Sequence, residues 1–332
     1  MQLQVGLDIG YGQTKIAWSK DLAPAQTEVH PSGAAPLEFC ARAGLQASSH
    51  GSIGYGEEVV VNGERYASLI DPDKISNGMP TLHADYSTTP QYMALYLGAL
   101  SRLQATEVDH LVTGLPVAQT RNAERAKQVK AMLEGVHHIR PGLSVTVKRV
   151  TVVPQAIGAF YSYLDRRPPG ISQLDTMMVV DFGHYSVDWV LVSDGDFRPE
   201  FSGSSTRGGS FVIDTIVRLI EERHKTAVSR ERVYSWLRKG VETVQLGHEE
   251  VDLSKLRTLA SRQVAPQVMG EILSTIRGQT NEVNRVLGCG GGLPFYMGDV
   301  REYFPRAKVD ELQSPVLANA LGFRIFARVR RA

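Results

Sequence analysis

One hairpin pattern occurs twice in this chain, as Val5-Gly6-Leu7-Asp8-Ile9-Gly10-Tyr11-Gly12-Gln13-Thr14-Lys15 and as Met178-Val179-Val180-Asp181-Phe182-Gly183-His184-Tyr185-Ser186-Val187-Asp188. In each copy an apolar strand ends on Asp-x-Gly and a tight turn follows. Alternating apolar residues then resume, as Thr14-Lys15-Ile16-Ala17-Trp18 and Val187-Asp188-Trp189-Val190-Leu191. A single Asp-x-Gly is also an ordinary hairpin turn, because Gly and Asp tolerate positive φ. Two copies at one spacing instead point to a duplicated architecture. A carboxylate delivered to the carboxyl end of a strand, with glycines that admit close backbone approach, suits a metal-bound phosphate. Two such ends predict one nucleotide held from both sides.

The length, 332 residues, exceeds what one hydrophobic core organises and predicts two lobes. Lys and Arg number 36 against 35 Asp and Glu, so no global field marks a binder of nucleic acid or of acidic surfaces. Arg324, Arg328, Arg330 and Arg331 form a local basic tail, read here as a solvated helix end. Two cysteines, Cys40 and Cys289, are too few for a disulfide framework and fit a reducing compartment. No run approaches the roughly 18 apolar residues of a membrane span, and the N-terminus enters a strand directly, without a signal peptide. The expectation is a soluble cytoplasmic protein with no membrane partner.

Periodicity sketches alternating elements. A hairpin covers 3–8 and 14–19, and residues 21–84, rich in Gly, Ser and Pro, read as an inserted small subdomain with β-like pieces such as Glu58-Val59-Val60-Val61. Apolar spacing predicts a helix within 89–106, a strand at His110-Leu111-Val112-Thr113, an amphipathic helix over 118–134, a strand over 145–153 and a helix over 155–165. Arg166-Arg167-Pro168-Pro169-Gly170 is a breaker cluster and marks the crossing between lobes, 1–165 and 166–332. The second half repeats the logic. A hairpin at 176–193, a strand at 197–202 and Gly208-Gly209 opening a helix over 210–224 precede a mostly helical insert at about 226–278. A strand from Val283 runs into Gly288-Cys289-Gly290-Gly291-Gly292, and a helix at about 312–326 returns to the first lobe. Strands alternating with helices imply an α/β sheet in each lobe.

With these strings placed, the chain resembles the actin, heat-shock-70 and sugar-kinase superfamily, in which two similar lobes close on ATP and magnesium. Five signatures fall in order over essentially the whole chain. Asp8 to Lys15 is similar to the first phosphate motif and Val153-Pro154-Gln155-Ala156-Ile157-Gly158-Ala159 to the first connection. Asp181 to Asp188 is similar to the second phosphate motif, Leu287 to Leu293 to the adenosine motif, and Ser314 to Gly322 to the second connection. Gly6 to Lys15, together with Val112-Thr113-Gly114-Leu115-Pro116-Val117, resembles the plasmid-segregation actins, the ParM or StbA group. The resemblance implies an α/β fold of the actin-like, ribonuclease H-like kind, duplicated into two lobes with a nucleotide cleft between them. It also implies an ATPase that assembles head to tail and moves plasmid or other replicon DNA through a DNA-binding adaptor.

The chemistry asks for these residue types. Magnesium keeps several waters and is held by one or two carboxylates, and Asp8 and Asp181 are placed for that, with ATP or ADP as the other cofactor. Gly10 and Gly12, and Gly183 in the second copy, are expected to free backbone N–H groups for the β- and γ-phosphates. Tyr11, Gln13, Thr14, His184 and Tyr185 complete the two turns. Lys15 offers a point charge to the phosphates, or else is a solvent-exposed strand lysine. Gln155, where the resemblance has Glu or Gln, can orient an attacking water but cannot take its proton. The alternative for Gln155 is a helix-start residue that satisfies backbone groups. Catalytic roles are thus assigned to Asp8, Gln155 and Asp181. Gly290, Gly291 and Gly292 let backbone pass beside the adenosine, Gly208-Gly209 resembles the turn near ribose and phosphates, and Arg238 and Lys239 stand as adenine-flanking candidates or plain surface residues.

His137, His138 and His184 show no metal-site spacing and read as satisfied or exposed histidines. Neither a Walker A sequence nor G-x-G-x-x-G occurs in the N-terminal motif, so the site is of neither the P-loop nor the dinucleotide type. Rivals on the same fold are a sugar or acid kinase, a heat-shock-70-type chaperone ATPase, and a nucleotide-binding scaffold with little hydrolysis.

Overall fold

The computed structural model of the chain describes residues 2–40, 52–53, 56–76, 85–166, 168, 170–172 and 175–329. It divides into two compact units, Met1–Ser172 with Leu312–Ala332, and Gln173–Glu311.

The first unit opens with β1 (Leu3–Ile9), β2 (Gln13–Lys20) and β3 (Gln26–Pro31), an antiparallel meander. A small sheet follows, built from β4 (Gly33–Pro36), β5 (Ser52–Ile53), β6 (Gly56–Val61) and β7 (Glu64–Ile70) in the order β4-β7-β6-β5. It occupies the part of the 21–84 insert that is described; residues 41–51, 54–55 and 77–84 lie outside. Next come α1 (Pro90–Arg102), β8 (Glu107–Val108), β9 (His110–Leu115), α2 (Val117–Thr120), α3 (Ala123–Leu133), β10 (Gly135–Arg140), β11 (Leu143–Val147), β12 (Val150–Pro154) and α4 (Gln155–Asp165). The main sheet runs β12-β9-β1-β2-β3, with β9 and β12 parallel to β1. β1 lies at its centre and is buried along its whole length, as an apolar run covered on both faces should be.

The second unit contains β13 (Met177–Phe182), β14 (Val187–Ser193), β15 (Asp196–Ser205), α5 (Gly209–His224), α6 (Arg230–Arg238), β16 (Thr243–Leu246), β17 (Glu249–Asp252), α7 (Leu253–Ile276), β18 (Arg285–Cys289), α8 (Met297–Tyr303) and β19 (Lys308–Glu311). Its sheet runs β15-β14-β13-β18-β19, again a meander of three with two strands parallel to the first. Third, second, first, fourth, fifth is the strand order in both units, so the repeated hairpin sits at the same topological place in each. The chain ends in α9 (Ala318–Val329), which belongs to the first unit and packs on α4, β1 and β9.

Contact of α9 with α4 and β1 depends on missing side chains. A Cβ on Gly322 would lie 1.6 Å from the Gly158 carbonyl oxygen, and one on Gly6 would lie 2.0 Å from that of Ala320. Asn319 Oδ1 accepts the Ala159 N–H at 3.0 Å across the same seam.

Several expectations are corrected. The predicted strand over 145–153 is two strands, β11 and β12, in different sheets. The helix over 118–134 breaks at Asn122, whose side chain caps α3 by accepting the Glu124 and Arg125 N–H groups. Within the mostly helical insert at 226–278, where α6 and α7 lie, β16 and β17 add a hairpin that the sequence reading lacked, turned by Gly247 at φ +62. The last helix starts at Ala318, later than 312, and runs past 326. Arg324 is not solvated but 7% exposed, donating to Ser19 Oγ at 3.1 Å, while Arg328 pairs with Asp165 at 3.0 Å. Arg330 and Arg331, like Arg167 and Pro169 of the breaker cluster, lie outside the described residues.

Candidate functional site

The residues expected around a nucleotide fall into two groups, one in each unit. In the first, β1 and β2 pair so that Asp8 faces Lys15. Lys15 Nζ donates to Asp8 Oδ2 at 3.1 Å, and Gln155 Nε2 donates to Asp8 Oδ1 at 2.7 Å. Lys15 is therefore no solvent-exposed strand lysine; it is 9% exposed, and Asp8 2%. A buried carboxylate demands such partners. Gln155 opens α4, and its amide goes to Asp8 and not to the helix end. Because only the amide nitrogen can donate to a carboxylate, Oε1 is the end directed away from Asp8.

The Gly10–Gly12 turn is tied to β3. Ser32 N donates to the Gly12 carbonyl at 3.2 Å, and the Thr14 and Ser32 hydroxyls share a hydrogen bond of 2.9 Å. Tyr11 stacks on Tyr86 at 4.1 Å between ring centroids, and Tyr86 meets the edge of Tyr92 at 5.6 Å. This tyrosine row connects the turn to α1. Burial pushes the Tyr92 phenol far up; the neighbouring Thr113 hydroxyl opposes this and the Asp8 charge adds to it.

In the second unit three glycine segments distant in sequence meet at one turn. Gly292 N–H donates to the Phe182 carbonyl at 2.7 Å, Gly209 N–H to Gly183 at 2.9 Å and Ser210 N–H to His184 at 2.7 Å. A Cβ on Gly290, which sits at φ +89, would lie 2.3 Å from Asp181 Oδ1 and 2.4 Å from the Phe182 carbonyl oxygen. One on Gly208 would lie 2.6 Å from the backbone of Tyr185. Gly291 stands between its two neighbours, and Asp181 is 4% exposed. The cross-strand partner differs from the first copy: Asp181 faces Asp188 where Asp8 faces Lys15. Asp188 accepts hydrogen bonds from Ser186 Oγ at 2.6 Å and from Ser204 Oγ.

One expectation about these turns is corrected. The N–H groups of Gly10 and Gly183 do not point outward for phosphates. Each closes its own turn, to Gln13 O at 3.0 Å and to Ser186 O at 2.9 Å. Neither residue lies at positive φ. A Cβ would be tight at Gly10, 3.2 Å from Lys15 Nζ, and would clash at Gly183, 2.8 Å from Ser186 O.

Arg238 is the last residue of α6, and Lys239 beyond it is exposed. One helical turn before Arg238, Tyr234 packs its ring on that of His184, 4.7 Å between centroids. Sequence reasoning missed Tyr234, Tyr86, Tyr92 and Tyr296, the last of which stacks on Phe182 at 4.8 Å. Among the histidines singled out earlier, His137 bonds the Leu133 carbonyl at 2.9 Å and His138 the Ser144 hydroxyl at 2.8 Å.

A duplicated α/β unit with one strand order and an Asp-x-Gly hairpin at the centre of each sheet is the actin type of fold, and comparison with solved structures agrees. The archaeal actin homologue Ta0583 matches with a TM-score of 0.75 at 20% identity, over 98% of this chain and 99% of that one. The ParM of a 15-stranded filament from Clostridium botulinum matches with a TM-score of 0.76 at 17% identity, over 98% and 99%. Ta0583 in complex with ADP matches with a TM-score of 0.72 at 20% identity, over 97% and 98%. Residues 6–158 match the family of actin like proteins, N terminal domain, and residues 179–298 that of the archaeal actin homologue MreB-like, C-terminal. The chain belongs to the actin-like superfamily. No curated protein matches it.

Proposed function

We propose that this chain is an ATP-dependent, filament-forming actin-like protein, with Asp8 and Asp181 approaching one magnesium-bound triphosphate from opposite sides. One observation carries the reading: the same hairpin occupies the same place in two sheets of identical order, each with a buried carboxylate just before its turn. ADP in the archaeal homologue and AMPPNP with a Bacillus thuringiensis ParM support a nucleotide as ligand. The ParM and Alp12 filament structures support self-association.

Oxygen donors at Asp8 and Asp181 fit magnesium, partly through water, and the ion when bound would neutralise phosphate charge. The chain's own groups do the rest. Lys15, held against Asp8, is a cation beside the turn that leans toward developing negative charge. Gln155 is anchored through Nε2, which leaves Oε1 to accept a hydrogen bond from an attacking water and orient it. The neutral Gln155 amide cannot take that water's proton, so turnover is slow, with Asp181 helping to place the water. The contact between successive subunits is heterologous and does not close on itself, so it propagates into a fibre. The cargo, plasmid or other replicon DNA, is reached through an adaptor, in keeping with the near-balanced charge of 36 basic against 35 acidic residues. Both cysteines are buried and neither is in a disulfide, which accords with the cytoplasm; among the described residues no helix is long and apolar enough to cross a membrane.

Light scattering with ATP, with ADP and without nucleotide, run beside phosphate release, tests this. Scattering that rises with ATP together with phosphate release is expected. Scattering without release would make the chain a scaffold, and transfer of phosphate to a sugar with flat scattering would make it a kinase.

A further inference from the structure

One side chain, Tyr296, bridges two of the three glycine segments of the second unit, which backbone hydrogen bonds also join. Tyr296 is completely buried, and its ring stacks on Phe182, the residue after Asp181, at 4.8 Å and 15°. Its hydroxyl donates to the Arg207 carbonyl at 2.7 Å, directly before Gly208-Gly209, where β15 gives way to α5. The Phe182 carbonyl in turn accepts the Gly292 N–H at 2.7 Å. Arg207 is held at its other end by an ion pair with Glu271 of α7, and its guanidinium lies 5.9 Å from the centroid of the Phe211 ring. Tyr296 thus spans segments 181–183 and 207–209, while 290–292 is tied to the first of them by the Gly292 N–H bond to Phe182.

Packing alone does not require a phenol in this place. Phe or Leu would fill the apolar volume, whereas a buried hydroxyl costs free energy unless it is bonded. Here the bond goes to the carbonyl that sets the height of the Gly208-Gly209 corner. Burial, with the Asp299 charge adding to it, pushes the phenol far above its ordinary value, so the group remains a donor across the working pH range.

We infer that Tyr296 is a positioning residue of the nucleotide site: through Phe182 and the Arg207 carbonyl it braces segments 181–183 and 207–209 against one another, on which the nucleotide lies. The inference rests on the nucleotide reading above. It assigns Tyr296 to binding and not to the chemical step, because its ring and hydroxyl meet Phe182 and the Arg207 carbonyl, outside the three residues given catalytic roles.

The test is Tyr296→Phe in the full chain, which keeps the stack and removes the hydroxyl. Affinity is read by titration with a fluorescent ATP analogue, turnover by phosphate release against ATP concentration, and folding by circular dichroism at the same temperature. Loss of one net hydrogen bond should raise the dissociation constant and KM about three- to tenfold, with kcat within about twofold of the wild type. Amide exchange at 208–210 should speed up in the same variant. Unchanged KM in a folded variant, or a loss confined to kcat, overturns the inference. Should Tyr296→Phe not fold, the exchange measurement moves to Tyr296→Trp, where protection at 208–210 equal to the wild type overturns it equally. A wild type that binds no ATP would sink the nucleotide reading itself, and this inference with it. A wild type that binds while Tyr296→Phe binds equally well sinks the inference alone.

Discussion

Gly290 has the least freedom of any position near Asp181. Its φ of +89 disfavours any L side chain, and a methyl there would meet the Asp181 carboxylate at 2.3 Å. Gly290→Ala is expected to weaken ATP binding by on the order of tenfold or more, from roughly 1–2 kcal/mol of backbone strain plus displacement of Asp181; isothermal titration of the folded variant checks this. Gln155→Ala should behave in the opposite way, keeping affinity while phosphate release falls about a hundredfold, the usual size of a lost positioning or proton-transfer contact. Equal release rates would remove Gln155 from the chemistry. At this scale the sequence exposed Asp8, Lys15, Gln155, Asp181 and the glycines because each sits in a short local string. It hid Tyr92, Tyr234 and Tyr296 because an aromatic residue at helical or loop spacing reads as core, and only the folded chain shows what its ring and hydroxyl meet. It also misled on Gly10 and Gly183, whose N–H groups close their turns.

Elements position these residues through close contacts. α9 reaches α4 only because Gly158 and Gly322 face one another, and α4 begins with Gln155. Gly322→Ala drives a methyl into the Gly158 carbonyl at 1.6 Å and should cost about 3 kcal/mol or more, read from urea unfolding. An unchanged midpoint would mean that the helices slide without cost. β9 and α9 also share a titratable contact. His110 is 3% exposed, with Nδ1 beside the Ala327 carbonyl at 3.0 Å and Arg149 Nη2 at 2.9 Å. Burial lowers its pKa from 6.5, the Ala327 carbonyl opposes this, and Arg149 reinforces it. His137 is lowered as well, first by burial. A histidine whose folded pKa lies below its unfolded value contributes full stability above pH 6.5 and loses it as pH falls through 6.5 toward the folded pKa. The melting temperature should therefore drop between pH 7.5 and 5.5, and His110→Gln should flatten that drop. A variant as pH-sensitive as the wild type would clear His110 of the effect. The hairpins at β1–β2 and β13–β14 were legible because each is an apolar run ending on Asp-x-Gly with a second apolar strand after the turn. The β11–β12 break and the β16–β17 hairpin were not, since Lys148-Arg149 and Leu246-Gly247-His248-Glu249 carry weak turn signals inside longer patterns.

The whole molecule repeats one sheet order in two units, and that duplication was the strongest message of the sequence because it required only two matching strings. The sequence gives no comparable signal for subunit contacts, which depend on surfaces formed by residues far apart in the chain. Asp181→Ala is expected to suppress phosphate release while partly preserving nucleotide binding, and with it to abolish the difference in scattering between ATP and ADP. Release at the wild-type rate would remove Asp181 from the site. The most direct test is the structure of the chain with magnesium and a non-hydrolysable ATP analogue. The account predicts the β- and γ-phosphates between the two hairpin turns, with the metal within one water of both Asp8 and Asp181. A nucleotide touching one unit alone, or a metal remote from either carboxylate, would contradict it.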